Sequence, residues 1–451
     1  MSVDQGGVVA RGAKGAAHRY GAALRHPGYR LLFFSLLPGT MGMMMAVVAF
    51  GFVAYAISGS ATTLALVNLG WGIPMFLLSP LAGEVADRFP RRNVLLATQC
   101  VVGLTAVLAA VLIATGVIQV WQLMVVTLLQ GMAFAFNIPA RQALIAELVP
   151  PADLANAVGL YNAGVNFNRV AGPAVAGALL TVPAIGAAGV FGLMALLYGV
   201  VMIALLRLPA AAVEQNPQRA KESRFARLSA GMRYVSAHPE LRRLMLLAFL
   251  PLLFGMPYQA LMPAVAAEVF HVDAAGLGLL LTANGLGALA GSIVIAGVNG
   301  APSTMARVQL ITGVVFGVGL LVFGLTPIYG AALPLLALVG GASAAYTSIN
   351  NTLLMSYTPP EYHGRVMGVY MMTFASMPLS SLPAARVAEA IGLPPTLVLS
   401  GALVILAVII GGSNAWQQRR TTSAVSTPSS TPPSSRTGGS TSAASGASSI
   451  T

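Results

Sequence analysis

Long apolar runs recur along the whole chain, each at or above the length a bilayer asks for. A hydrocarbon core about 30 Å thick needs ~20 consecutive apolar residues in helical form. Twelve runs meet that length. The first six span 31–57, 63–82, 93–115, 118–140, 154–180 and 184–206, and the second six span 244–268, 276–298, 306–326, 330–355, 364–389 and 393–412. The pattern predicts an all-α membrane protein of twelve transmembrane helices. Polar breaks divide it into an N-terminal segment 1–30, a bundle 31–206, a basic linker 207–243, a second bundle 244–412 and a Ser/Thr/Pro-rich tail 413–451. The tail is expected to be disordered, because its composition offers too little apolar surface to offset ordering. The first run is too long for a signal peptide and has no small-residue cleavage site, so it reads as an uncleaved span.

Composition agrees with this reading and narrows it. Hydrophobic residues make up 57% of the 451 and charged residues 8%, against about 25% charged in a soluble domain. A water-facing surface cannot be built from so few charges, which excludes a soluble enzyme. The net charge of +12 could suggest nucleic acid, but the positions of the charges argue otherwise. With twelve crossings, 22 of the 24 Lys and Arg fall on one side, among them Arg141 between the fourth and fifth runs. The opposite connections hold none, and Arg169 and Arg386 lie inside runs. The excess of basic residues in cytoplasmic loops puts both termini in the cytoplasm, where the charge faces anionic lipid headgroups rather than nucleic acid. Arg far exceeds Lys, which suggests a GC-rich bacterial genome and hence a bacterial inner membrane. Cys100 stands alone, so no intrachain disulfide or Cys-cluster metal site is expected. Neither Lys14 nor Lys221 precedes Ser or Thr, so there is no phosphate loop and no cofactor is expected.

The two bundles carry traces of one ancestor. His26-Pro27-Gly28-Tyr29-Arg30-Leu31-Leu32 recurs as His238-Pro239-Glu240-Leu241-Arg242-Arg243-Leu244, at an offset of 212. Leu144…Pro150-Pro151…Gly159…Tyr161 recurs as Leu353…Pro359-Pro360…Gly368…Tyr370, at an offset of 209. Repeats of six spans each enter the membrane from the same side, so they are parallel repeats, with a substrate site expected between them near the midplane.

Between the second and third runs stands Gly83-Glu84-Val85-Ala86-Asp87-Arg88-Phe89-Pro90-Arg91-Arg92. Gly83 permits a close turn, and Asp87 is an acceptor suited to a neighbouring helix N-terminus. This resembles the signature loop of the major facilitator superfamily, Gly-x-x-x-Asp-Arg-x-Gly-Arg-Arg, with Pro90 in place of the second Gly. The resemblance implies an inner gate in which Asp87 meets the start of the eleventh span at Gly364-Arg365. In the fifth run, Gly172-Pro173-Ala174-Val175-Ala176-Gly177 is similar to the family's antiporter motif, which accompanies exporters. Arg141-Gln142-Ala143-Leu144, Leu154-Ala155-Asn156-Ala157 and Gly364-Arg365-Val366 resemble the enterobactin-exporter and macrolide-efflux branch.

Candidate substrate contacts are polar groups at depth, where charge is costly unless it faces a cavity or a partner. Asn162, Asn166 and Arg169 form one stripe at i, i+4 and i+7. Arg169 serves equally as a contact for an anionic substrate group or as a helix lock. Gln130, Gln259 and Asn284 are further candidates, each also suited to holding helices together. Met43–Met45 and Met371-Met372 could offer a pliable apolar surface, although lipid-facing packing accounts for most methionines. The resemblance to the proton-driven exporter branch implies protons as the coupling ion, but no carboxylate stands at midspan, so no residue is assigned to them. Arg386 and Glu389 read as a local ion pair. The expectation is a secondary exporter of a small amphiphile, with an importer of the same fold as alternative and a receptor or enzyme as a more distant one.

Overall fold

The computed structural model describes residues 22–208, 224–297, 301–375 and 377–425. The first 21 residues, most of the polar part of the linker and everything after 425 lie outside the described residues, as do the side chains at Gly83, Glu84 and Asp87. Every regular element described is helical. The first six long helices are α1 (Pro27–Ser58), α2 (Ala61–Arg88), α3 (Arg91–Ala114), α4 (Val120–Leu148), α5 (Leu154–Leu180) and α6 (Gly186–Leu206). The linker contributes α7 (Arg224–Ala237). Then come α8 (Pro239–Gly255), α9 (Pro257–Ala264), a π turn at Val265–Val269, α10 (Ala274–Ala296), α11 (Pro302–Leu325) and α12 (Tyr329–Ser356). The chain ends in α13 (His363–Ala375), α14 (Met377–Ile391) and α15 (Leu393–Val425).

Among the described residues, ten helices are long and apolar enough to cross a membrane, not twelve. The two shortfalls have separate causes. Helix α5 has the length but carries Asn156, Asn162, Asn166, Asn168 and Arg169, which lower its apolar content. The eleventh expected run is described as two helical stretches, α13 and α14, of 13 and 15 residues, each under that length, with residue 376 between them outside the described residues. Helix ends also move. The fourth helix continues to Leu148, eight residues past the expected limit, and so takes Arg141 into its body, where the side chain is buried. Arg141 is therefore not a loop charge. The last helix runs to Val425, so the segment expected to be a disordered tail begins as helix.

Local chemistry explains several joints. Gly59 ends α1 at φ 60°, a left-handed cap that glycine adopts without strain, and its N–H returns to the Tyr55 carbonyl. Ser60 then caps α2 by accepting from the Thr63 N–H. The chain between α8 and the π turn is broken by Pro257 and Pro263, which have no N–H to give the helical ladder.

The duplicated sequence segments occupy matching places. Both His26 and His238 stand immediately before helices whose first residue is Pro. The short turns Pro151–Asp153 and Pro360–Tyr362 precede α5 and α13 respectively. Within the first group α2 packs on α4, α3 on α6, and α1 on both α5 and α6; in the second, α10 and α11 pack on α12. The groups meet along α5 with α10 and along α2 with α14.

The buried core is distributed unevenly along the bundle. One continuous apolar cluster includes residues of both groups, from Met45 and Leu64 to Tyr258, Leu277 and Ala385. Toward the opposite helix ends it gives way to two separate clusters. One holds Tyr29, Leu95, Leu144 and Leu205; the other holds Leu241, Leu353, Val366 and Tyr370. The two groups share a core at one end and part at the other.

Candidate substrate and gate site

Helix α5 lies where the groups meet, and its sequence explains why. One side is locked to α1: Asn168 is buried and its Nδ2 donates to the Leu37 carbonyl and to Thr40 Oγ1. Gly164 and Gly172 sit on the same neighbour, Gly172 against Met44. On another side α5 approaches α10 backbone to backbone. A Cβ placed on Gly278 would lie 2.8 Å from both the Gly177 Cα and the Pro173 carbonyl oxygen. One placed on Gly285 would lie 2.7 Å from the Arg169 carbonyl oxygen. The motif residues Gly172, Pro173 and Gly177 are thus packing surfaces, one face to α1 and the other to α10.

The polar stripe stays clear of these contacts. Asn162 and Arg169 are exposed and Asn166 is half-buried, in contrast to Asn168. Across the join, Tyr258 of α9 is buried and gathers the other candidates. Asn284 Nδ2 donates to its hydroxyl at 2.7 Å and to the Leu336 carbonyl at 3.3 Å, and Gln259 Nε2 reaches the same hydroxyl at 3.3 Å. Gln259 and Asn284 therefore converge on Tyr258, a residue that looks like ordinary core in the sequence. The Pro257 break beside it was the available signal.

Gln130 does not join this group. It is buried within the first six helices and donates to Thr105 Oγ1 at 3.2 Å, while Asn137 does the same to Thr98 at 2.8 Å. Both tie α4 to α3. The methionines also divide: Met45 is fully buried, and Met371 is exposed.

The signature loop is held from several sides. Arg91 pairs with Glu147 at the end of α4, and Arg92 Nη1 donates to the Leu208 carbonyl at 2.8 Å. Arg88 is exposed. The expected contact of Asp87 with α13 falls on a side chain outside the described residues. Gly364 has open space beside it, and Arg365 lies over the Tyr362 ring at 5.3 Å. Helix α13 packs on α7, and also touches α8 and the signature-loop helix α2. Gly231 of α7 faces the Arg365 carbonyl, and Tyr234 of α7 stacks on Tyr362 with ring centres 4.0 Å apart.

At the joined end two carboxylates reach from the second group to the first. Glu268 accepts from the Tyr55 hydroxyl. Glu389 accepts from Ser60 Oγ at 2.8 Å and from the Thr62 N–H at 3.1 Å, which fastens α14 to the start of α2. Arg386 stands 3.7 Å from Glu389, the local pair read from the sequence. Spacing along the chain gave no sign that Glu268 and Glu389 bridge the groups.

The family model described as transmembrane secretion effector, of the major facilitator type, matches residues 20–436. The chain belongs to this family. It is a multi-pass transport protein of a bacterial cell membrane. Macrolide efflux protein A of Streptococcus pyogenes is 24% identical over 391 residues, covering 84% of this chain and 95% of the relative. The staphyloferrin A transporter of Staphylococcus aureus is 26% identical, covering 77% and 86% respectively. Enterobactin exporter EntS of Citrobacter koseri is 27% identical, covering 76% and 81%. Among solved structures, a POT family transporter superposes with a TM-score of 0.68 at 13% identity, over 88% of this chain and 97% of that one. A bacterial homologue of the human lysosomal transporter Spinster gives 0.65 at 15%, over 86% and 96%. These two likenesses establish the fold.

Proposed function

We infer that the chain is a secondary active exporter carrying a small amphiphile of the drug, antibiotic or siderophore class out of the cell by alternating access, driven by the proton gradient. The observation that carries this reading is the core that is single at one end and divided at the other. Two bodies hinged in that way can part at the joined end and close at the other. The bodies are the six-span repeats 31–206 and 244–412, connected through 207–243. Twelve crossings with both termini in the cytoplasm follow if α5 spans despite its polar content and if α13 and α14 together make one span. The divided end then faces the cytoplasm.

In this reading Asn162, Asn166 and Arg169 of one body, with Gln259 and Asn284 of the other, line the route of the substrate. Arg169 holds an anionic group, because a charge at that depth needs a cavity or a partner. In the alternate conformation Asp87 caps α13 at Gly364, through the attraction of an acceptor for a helix N-terminus. Hydrogen bonds to an ionised carboxylate are roughly twice as strong as neutral ones, so the fastening of Glu389 to Ser60 and Thr62 is one that opening at the joined end has to break. The relatives named as exporters favour export over import.

The test is accumulation. Overproduction should lower the cellular content of a fluorescent or antibiotic amphiphile several-fold, and a protonophore should abolish the difference. Raised accumulation would indicate import, and efflux that survives the protonophore would remove the proton from the mechanism.

A further inference from the structure

A cavity of about 130 Å³ lies at the joined end and shares no residue with the substrate route or the gate. Phe52, Tyr55 and Ala56 of α1 form one wall; Pro263 of α9, Ala266 of the π turn and Leu277 of α10 form the other. The walls therefore belong to both groups of helices. Beneath them the groups touch closely, since a Cβ on Gly51 would lie 2.7 Å from Pro263 Cγ. Of the lining residues Ala56 and Asp273 are exposed, so the mouth opens beside them.

The chemistry of the walls selects the occupant. The two polar side chains of the lining are already engaged. Tyr55 donates to Glu268, and Asp273 Oδ1 accepts from the Gly276 N–H at 3.1 Å as the cap of α10. All other lining residues are apolar. A polar group taken inside would give up water without a hydrogen bond in return, which is unfavourable. An apolar cavity of about 150 Å³ in another protein stays dry and takes up benzene, so this one has room for one ring of that size.

The mouth differs from the walls. The Asp273 carboxylate has lone pairs to spare beyond its cap bond, and Glu268, the acceptor of Tyr55, is exposed at the same end. None of the lining residues is Lys or Arg. Carboxylates here set the mouth in water rather than among lipid tails, where charge is costly. They attract a cation and repel an anion.

We propose that this cavity binds one aromatic ring carrying an ammonium group, with the ring between α1 and α10 and the cation beside Asp273. The consequence for the cycle rests on the alternating-access reading above. Both walls make the site, so it exists only while this end is joined, and an occupant stabilises that state by mass action. An arylalkylammonium outside the cell thus slows transport from a place the transported molecule does not occupy.

The test uses the purified full-length protein in detergent, carrying Cys100→Ser and Ala56→Cys, with benzylammonium as the probe. N-ethylmaleimide should label the thiol at the mouth about tenfold more slowly when the probe is at ten times its Kd. A thiol placed instead by Val117→Cys, in the exposed connection between α3 and α4, should react at an unchanged rate. Benzoate should protect neither. Unslowed labelling would overturn the site, as would equal slowing at both positions or equal protection by benzoate. The unaltered chain supplies a second readout: benzylammonium should lower the maximal efflux rate without raising the substrate concentration that gives half of it. Protection with an undiminished rate would overturn the hold on the cycle, and a raised half-saturation would overturn it by placing the probe in the substrate route. Labelling is read without transport, so the site is decided even if the chain exports nothing.

Discussion

Asn168 and Arg169 are adjacent, yet one is buried against α1 and the other is exposed beside α10. A helix turns 100° per residue, so neighbours serve different partners. Asn168 is structural: removing a buried amide from its acceptors costs about 1–3 kcal/mol. Arg169 is the residue we propose for the substrate route, and its replacement should separate binding from folding. Arg169→Ala is expected to leave the melting midpoint nearly unchanged while weakening anionic substrates about tenfold or more, the equivalent of one charge-assisted hydrogen bond. Neutral substrates should lose far less. Equal loss for both classes, with a lowered midpoint, would make Arg169 a helix lock. The polar stripe itself was legible from spacing. That Gln259 and Asn284 meet at Tyr258 was not, since their partner is 26 residues from Asn284 and looks apolar in sequence.

At the scale of the helix pair, glycine decides how closely α5 and α10 come together. The 2.8 Å separations around Gly278 leave no room for a side chain, and backbone on the facing helix cannot move aside as a flexible side chain can. Gly278→Val should overpack the contact by about 1–3 kcal/mol, lower the melting midpoint and reduce transport, with insertion into the membrane retained. Normal transport and stability would mean that the contact is looser in solution. Helix boundaries were the weakest part of the reading from sequence. Hydropathy marks where a run begins to be apolar, whereas hydrogen bonding carries α4 on to Leu148 and thereby buries Arg141.

For the molecule as a whole, the proposed transport cycle rests on which end is joined. If the Tyr55–Glu268 and Ser60–Glu389 fastenings must part in each cycle, tethering them should stop it. A Tyr55→Cys, Glu268→Cys pair in a Cys100→Ser background, bridged by a bifunctional maleimide, is expected to lose transport almost completely, while each single variant is far less affected by the reagent. Undiminished transport in the bridged protein would show that this end does not open. The sequence by itself determined the solvent, the helical class, the family and the duplicated plan, because burying some twenty apolar residues per helix leaves a signal within one continuous segment. It also placed the polar stripe on α5 and the local Arg386–Glu389 pair, since both depend on residues within two turns. Only the tertiary structure decided that the core is shared at one end, that Glu268 and Glu389 bridge the two groups, and that Arg141 is sealed in without a counter-charge. The two bridges join residues 213 and 329 apart in the chain, and a one-dimensional pattern of polarity contains no term for such contacts.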